Sequence, residues 1–335
     1  MKKAAIVGCG GISAVHAGVL DMMDNVQLVA CADIRLERAA AMAEKYGLHA
    51  YDSLEKMLDA EEIDVLHICT PHYLHVPMVA EAHRRGIHVF TEKPPAINWE
   101  QKKELFEMAS DGGARIGVCF QNRYLDATKK IKSLLESGEA GKVKGIRGFV
   151  TWARDEHYYV DSGWRGKLAT EGGGALINQS IHTMDLMNWF MGRPCGVEAL
   201  CANRHLKGVI EVEDTVDALI DYDGVPGIFY ATTAFGVNSP VLIELACENM
   251  TIRMEESEFT IKRPGEAPER TTFVRPALPG KDYWGVGHHD CIADFYAALE
   301  EDRPFQNDVP SIENTLDLML SVYESAGKNG EPVTL

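Results

Sequence analysis

Lys3-Ala4-Ala5-Ile6-Val7-Gly8-Cys9-Gly10-Gly11-Ile12-Ser13 is the stretch that decides the fold. The apolar run to Val7, the glycines after it and the helical spacing of Ala14, Val15, Gly18, Val19 and Met22 read as strand, tight turn and helix. Gly8 to Ser13 matches G-x-G-x-x-G with Ser13 in the third place. The first glycine allows the turn, the second lets backbone approach a pyrophosphate, and the third position needs a small residue, which serine satisfies. The next apolar run, Gln27 to Asp33, ends in a carboxylate where the ribose hydroxyls of a dinucleotide are met. A carboxylate there repels a 2′-phosphate, so Asp33 predicts NAD over NADP, with Arg35 softening the preference. Gly8, Gly10, Gly11, Ile12, Asp33, Ile34 and Arg35 are the first candidate cofactor residues.

The same alternation continues as far as Phe120. Arg35 to Tyr46 reads as a helix closed by Gly47, Ser53 caps a short helix through Leu58, and Asp64 to Pro71 is a buried strand. His75 to Arg85 is helical, His88 to Thr91 a strand, Asn98 with Gln101 a capping box, and Arg115 to Phe120 another strand. Strands alternating with helices imply an α/β fold with a parallel, doubly wound sheet, because parallel neighbours need a crossover. Beyond Gln121 the pattern changes. Helices at Asp126 to Ser137 and Ala175 to Met191 accompany strands at Gly145 to Trp152, Glu198 to Asn203, Val216 to Asp221, Ile228 to Thr233 and Val241 to Cys247. Helices at Ile292 to Glu300 and Ile312 to Ala326 complete the pattern, and Arg263 to Pro279 reads as a mobile loop. Two domains are expected, residues 1–121 and 122–335, the second an α+β unit with a large sheet and helices on one face.

Composition narrows the function classes. The 335 residues suit two domains, and 46% hydrophobic with 25% charged residues is an ordinary globular balance. Thirty-three Lys and Arg against fifty Asp and Glu leave a net charge of -17, which disfavours nucleic acid and anionic membrane as partners. The eight cysteines never form C-x-x-C and read as reduced thiols of a cytoplasmic protein. Lys2 and Lys3 before Ala4 to Gly8 imitate a secretory leader, but the apolar stretch is too short, and no run is long enough for a membrane span.

Two further motifs carry chemistry. Thr70-Pro71-His72-Tyr73-Leu74-His75 and Thr91-Glu92-Lys93-Pro94-Pro95 come after strands, at the edge where open α/β sheets bind ligands. Thr70, Pro71, His72, His75, Glu92 and Lys93 therefore join the candidate cofactor residues, as does Asn122 after the last strand of the first half. A lysine before two prolines has a fixed backbone, which suits a positioned amine. Gly172-Gly173-Gly174 opens a segment in which helical spacing puts Asn178 and His182 on one face, with Asp185 three residues on. Imidazole suits proton transfer near neutrality. His182, Asp185, His288 and His289 are conceivable metal ligands, but neither H-x-x-x-H nor H-E-x-x-H occurs among them, and no metal is expected.

Gly8 to Ser13, Glu92-Lys93-Pro94 and Gly172 to Asp185 together resemble the glucose-fructose oxidoreductase, inositol dehydrogenase and rhizopine-catabolism (Gfo/Idh/MocA) family over essentially the whole chain. Trp164-Arg165-Gly166 and Gly287-His288 add to the resemblance. It implies a Rossmann domain joined to a domain with an open, mixed, mostly antiparallel sheet. It also implies homodimers or homotetramers built on that sheet, and NAD(P)-dependent transfer of hydride to or from a sugar, polyol or sugar derivative. Carried over by position, Lys93 and His182 are the catalytic pair, with Asn178 beside them. One departure matters: Asn178 stands where the family has aspartate, and Ser180 where it has glycine. Asparagine orients His182 but supplies no charge, which moves weight to Lys93. An amine with an ordinary pKa of ~10.4 is mostly protonated at neutral pH unless its surroundings disfavour charge. Lys93 is then either a tuned base or a protonated electrophile beside a basic His182. Arg123, Tyr124, Trp152, Trp164, Arg165 and His288, with Lys93, Asn178 and His182, offer aromatic faces and donors for a polyhydroxylated substrate. Alternatives within the same fold are an NAD-dependent glycosidase using transient oxidation and an NAD-sensing regulatory protein; Lys93 and His182 argue against the second.

Overall fold

The computed structural model describes residues 1–274 and 287–335. Two compact units result. One contains Met1–Gln121 and a return segment ending at Ile312; the other begins at Asn122 and takes in Glu313–Leu335. The expected division at 121/122 treats the chain as two consecutive pieces, whereas the packing returns helix His288–Glu300 to the first.

The first unit is a six-stranded parallel sheet: β1 (Lys2–Val7), β2 (Val26–Ala32), β3 (His49–Tyr51), β4 (Val65–Ile68), β5 (His88–Thr91) and β6 (Ile116–Val118). Their order, β3-β2-β1-β4-β5-β6, is that of a Rossmann fold, and its strand-order reversal falls between β1 and β4. Because the strands run parallel, Gly8, Asp33, Thr70, Lys93 and Cys119 all lie just past carboxyl ends at one edge. β3 is an addition to the expected strands, three residues long and without an apolar run. The return segment covers β6: the Phe295 and Phe305 rings pack tilted against Phe90 and edge-on to each other, and Asn307 Nδ2 donates to the Phe120 carbonyl at 3.0 Å. A sheet edge with unpaired backbone groups is thereby closed.

The second unit carries nine strands: β7 (Val143–Thr151), β8 (Gly196–Ala202), β9 (Thr215–Tyr222), β10 (Val225–Thr232), β11 (Leu242–Cys247), β12 (Thr251–Glu255), β13 (Glu258–Lys262), β14 (Glu269–Thr272) and β15 (Val333–Thr334). The order is β14-β13-β12-β11-β7-β10-β9-β8-β15, with β7 and β10 parallel and the other neighbours antiparallel. Strand β14 corrects the expected loop at Arg263 to Pro279: Glu258 to Ile261 pair with Thr272 to Glu269. Residues 275–279 of that expectation lie outside the described residues. Helix Ile181–Met191 lies against β7 on one face, where a Cβ at Gly148 would come within 2.6 Å of Met187 Sδ. On the opposite side of the pleat Leu219 and Ile228 are cross-strand neighbours, 58% and 45% exposed. No helix among the described residues is long and apolar enough to cross a membrane.

Candidate active site

The nucleotide end of the first unit is shaped by Gly8. Its φ of +88° and a would-be Cβ at 2.7 Å from the Cys69 carbonyl carbon and oxygen leave room only for glycine. Gly10 and Gly11 face open space, so their backbone is accessible to a large anion. Ser13 Oγ donates to the Gly10 carbonyl at 2.5 Å, and the buried Ser13 begins helix Ser13–Asp21. Asp33 ties the turn together: Oδ2 accepts from Cys9 N and Oδ1 from Arg35 N, both at 2.8 Å. A tight turn with an open glycine face, a helix start and a strand-end carboxylate fit NAD. Ile34 and Arg35 are exposed beside Asp33, and Thr70 and Pro71 are half-buried at the end of β4.

Behind β5 lies a buried polar chain of which the sequence motifs contain only Glu92. His16 Nε2 meets Glu92 Oε1 at 3.0 Å, His16 Nδ1 meets His67 Nδ1 at 3.0 Å, and His67 Nε2 meets Tyr296 Oη at 3.0 Å. Burial alone would lower the His16 pKa, but hydrogen bonds with Cys119 and Glu92 and the Glu92 charge raise it to about 9. Burial pushes the Cys119 thiol well up, so at neutral pH the charge that holds His16 protonated is that of Glu92. Glu92 is held well below the ordinary carboxylate range although burial opposes this, chiefly by the hydrogen bond and charge of His16. His67, lowered by burial and by the His16 charge, is neutral. The proton count closes: His16 donates to both Glu92 and His67, and His67 donates to Tyr296.

Several residues expected on the cofactor or substrate lie in or beside this polar chain. Glu92 is a buried ion-pair partner of His16, with His288 Nε2 a further 4.0 Å from the same oxygen, so Glu92 and His288 belong to one internal cluster. His75, expected on the cofactor, is fully buried, with its ring nitrogens 2.7 Å from the Pro94 carbonyl and 2.9 Å from that of Thr70. It braces the peptide after Lys93 against the end of β4, and the buried His72 ring lies beside it. Lys93 itself is half-buried between these fixed neighbours. His16, Glu92 and Cys119 bring nitrogen, oxygen and sulfur within 4.8 Å of one another, the one metal-like grouping among the described residues. The His16–Glu92 bond already balances its charge.

In the second unit the triple glycine is explained by Glu213. Its carboxylate accepts from Gly174 N and Leu176 N at 2.9 Å and from Tyr323 Oη at 3.0 Å. A Cβ on Gly174 would fall 2.0 Å from the Glu213 carbonyl oxygen. A π-helical turn, Ala175–Ser180, then leads into the α-helix Ile181–Met191. The regular i, i+4 relation expected between Asn178 and His182 is therefore replaced by a wider turn, a form that recurs at functional sites. Asn178 Nδ2 donates to Glu171 Oε1 at 2.5 Å, so its amide oxygen points away from Glu171. The carboxylate that position 178 lacks is thus one hydrogen bond away, on a residue that belongs to none of the motifs. Burial raises the Glu171 pKa to about 7 against the hydrogen bonds from Asn178 and Gly166 and the Arg165 charge.

A raised carboxyl pKa favours the folded state most when protonated. Its contribution is complete below about pH 4.5 and is lost as pH rises to about 7, on the order of 3 kcal/mol. Glu171→Gln should remove this dependence. Its melting temperature, relative to that of the unaltered protein, should rise between about pH 5 and 8; a constant difference across that range contradicts the assignment.

Arg123, expected on the substrate, lies in a buried ion pair. Its Nη2 and Nε meet the two Asp185 oxygens at 2.6 and 2.9 Å, and Thr315 Oγ1 donates to the same carboxylate at 2.8 Å. That pair is buried and fastens helix Ile181–Met191. Tyr124 is buried under Lys129, and Trp152 is buried with Nε1 donating to the Ser239 carbonyl at 3.1 Å. Trp164 is half-buried beneath the Arg165 guanidinium. Asn122 is buried with neither amide atom hydrogen-bonded, the kind of orphaned polar group that a ligand satisfies. His182 is buried, at the start of the α-helical part.

Comparison with known proteins agrees with both halves. The family described as "Oxidoreductase family, NAD-binding Rossmann fold" matches residues 2–120, and the "GFO/IDH/MocA C-terminal domain" matches residues 128–253. D-glucoside 3-dehydrogenase of Escherichia coli (strain K12) is 31% identical over 70% of this chain and 71% of its own. Levoglucosan dehydrogenase of Pseudarthrobacter phenanthrenivorans is 26% identical over 89% of this chain and 87% of its own. Among solved structures, the WlbA dehydrogenase of Bordetella pertussis in complex with NADH and UDP-GlcNAcA superimposes with a TM-score of 0.86. It is 29% identical, over 99% of this chain and 98% of that one.

Proposed function

Because the chain belongs to the Gfo/Idh/MocA family of NAD-binding oxidoreductases, we propose that it is a dehydrogenase of a sugar, polyol or sugar derivative, with Lys93 and His182 handling the proton. The observation that carries the reading is the setting of Lys93. This half-buried amine comes directly after β5, and its neighbours are fixed on both sides, Glu92 by His16 and Pro94 by His75. A residue held so firmly at the ligand edge of the sheet is suited to meet one hydroxyl in one orientation. The sugar dehydrogenases among its relatives support the substrate class.

When bound, NAD would supply the hydride acceptor for the carbon bearing the reacting hydroxyl. The remaining chemistry falls to the chain. Lys93 or His182 receives the hydroxyl proton, while the Asn178 amide, fixed by Glu171, presents its oxygen as an acceptor for a neighbouring N–H or O–H. Gly8, Gly10, Gly11 and Asp33 would hold the dinucleotide. Reduction of NAD on exposure to a panel of neutral and anionic aldoses and inositols tests the reaction, and no reduction with any of them counts against it. Leu219 and Ile228 on the uncovered face of the second sheet support a homo-oligomer formed there.

Asp33 is the basis for preferring NAD. Asp33→Ser should increase use of NADP relative to NAD by roughly tenfold, since it removes a like charge beside the 2′-phosphate. It also releases the amides of Cys9 and Arg35, so affinity for both cofactors should fall somewhat. Tighter binding of NADP than NAD by the unaltered protein would show Arg35 to dominate.

A further inference from the structure

The geometry points to an oxyanion subsite on the second unit, in which Arg154 and Arg165 receive a carboxylate or phosphate carried by the sugar substrate. This rests on the dehydrogenase reading and narrows its substrate class. The two guanidinium carbons lie 5.3 and 4.4 Å from the centre of the same Tyr158 ring, and Arg154 and Arg165 also lie over Trp152 and Trp164. Tyr158 Oη accepts from Gln179 Nε2 at 2.6 Å, and Gln179 adjoins Asn178. The cationic pair is therefore linked through Tyr158 and Gln179 to the segment that carries Asn178 and leads to His182.

What makes the pair unusual is that no carboxylate among the described residues forms an ion pair with either guanidinium, although the Arg165 charge is felt by Glu171. Every other half-buried or buried arginine among the described residues has one, as Arg123 has Asp185, Arg147 has Glu244 and Arg303 has Asp294. Arg154 Nη1 instead donates to the Ala153 carbonyl at 2.7 Å and Asn238 Oδ1 at 2.9 Å, and Arg165 Nε is buried without a hydrogen bond. Asp155 and Glu171 already accept other hydrogen bonds: Asp155 Oδ1 from Tyr158 N, and Glu171 from Asn178 Nδ2 and Gly166 N. In a chain of net charge -17, two adjacent guanidiniums without an ion pair among the described residues leave a local positive field that an anion would neutralise. Planar, fixed guanidiniums stacked on aromatic rings match the oxygens of carboxylate or phosphate.

The test compares glucose, glucuronate and glucose 6-phosphate as substrates with NAD, beside calorimetric binding of glucuronate and inorganic phosphate to the NADH-bound protein. The subsite predicts a KM roughly tenfold lower for at least one charged sugar than for glucose, diminishing as salt is raised. The better of the two charged sugars identifies the anion. Arg154→Gln with Arg165→Gln should erase the preference, and Arg165→Gln alone should reduce it. A preference for glucose, or a charged-sugar preference that survives both substitutions, overturns the subsite. Anion binding that is lost in the variants, without oxidation of any sugar, would uphold the subsite and defeat the dehydrogenase reading instead. Absence of anion binding beside active oxidation of glucose would do the reverse.

Discussion

Lys93→Met should lower dehydrogenase turnover roughly a thousandfold while NADH binds within a few-fold of its normal affinity. Methionine keeps most of the unbranched stem, so the packing between Glu92 and Pro94 should survive and the loss should fall on the amine. The measurement is single-turnover reduction of NAD with a saturating sugar, alongside quenching of protein fluorescence by NADH. The two readouts separate proton handling from cofactor binding, because the proposed dinucleotide contacts lie at Gly8 to Ser13 and Asp33. Turnover above a tenth of normal would move the proton-transfer role to His182. Equal loss of NADH binding would make Lys93 a cofactor ligand first.

The second large effect is on stability. His16→Ala should cost about 3 to 5 kcal/mol, since it leaves the Glu92 carboxylate buried without its cation and opens a cavity beside His67. A loss of that size corresponds to a fall in melting temperature of roughly 10 °C. Converting Glu92 to Gln in the same chain should restore part of the loss, because a neutral amide is far cheaper to bury than an unpaired charge. The pH dependence carries the sign of both partners. The raised His16 pKa contributes stability that is complete below about pH 6.5 and lost as pH rises through about 9. The depressed Glu92 pKa contributes stability present above about pH 4.5 and lost in acid. His16→Ala should flatten the alkaline loss. A variant within about 1 kcal/mol of normal, or one that keeps that loss, would show the pair to contribute little.

The first unit was legible because its parallel strands are continuous apolar runs and their ends carry functional residues in sequence. Gly8, Asp33 and Lys93 lie just beyond β1, β2 and β5, so reading the strands also locates the ligand edge. Strands β12 to β14 were not legible. In β12 and β13 polar residues such as Glu258, Thr260 and Lys262 alternate with apolar ones over only five positions, β14 has no apolar residue at all, and the longest apolar signal nearby is β11. The site in the second unit was half legible. Gly172 to Gly174 and His182 stand out along the chain, but the partners of Asn178 and Arg123 are set through space. Glu171 has one signal in the sequence, an acid immediately before three glycines, where backbone packs too closely for water. The His16–Glu92 pair spans 76 positions and has no linear pattern at all.

The most direct test of dehydrogenase activity uses one aryl glycoside of an oxidisable sugar with NAD and the intact protein. Reduced nicotinamide and freed aglycone are measured together. A dehydrogenase accumulates reduced nicotinamide in step with oxidation of the sugar ring, leaves the aglycone attached, and loses the signal in Lys93→Met. Aglycone release without net accumulation of reduced nicotinamide would contradict that reading and identify a hydrolase working through transient oxidation.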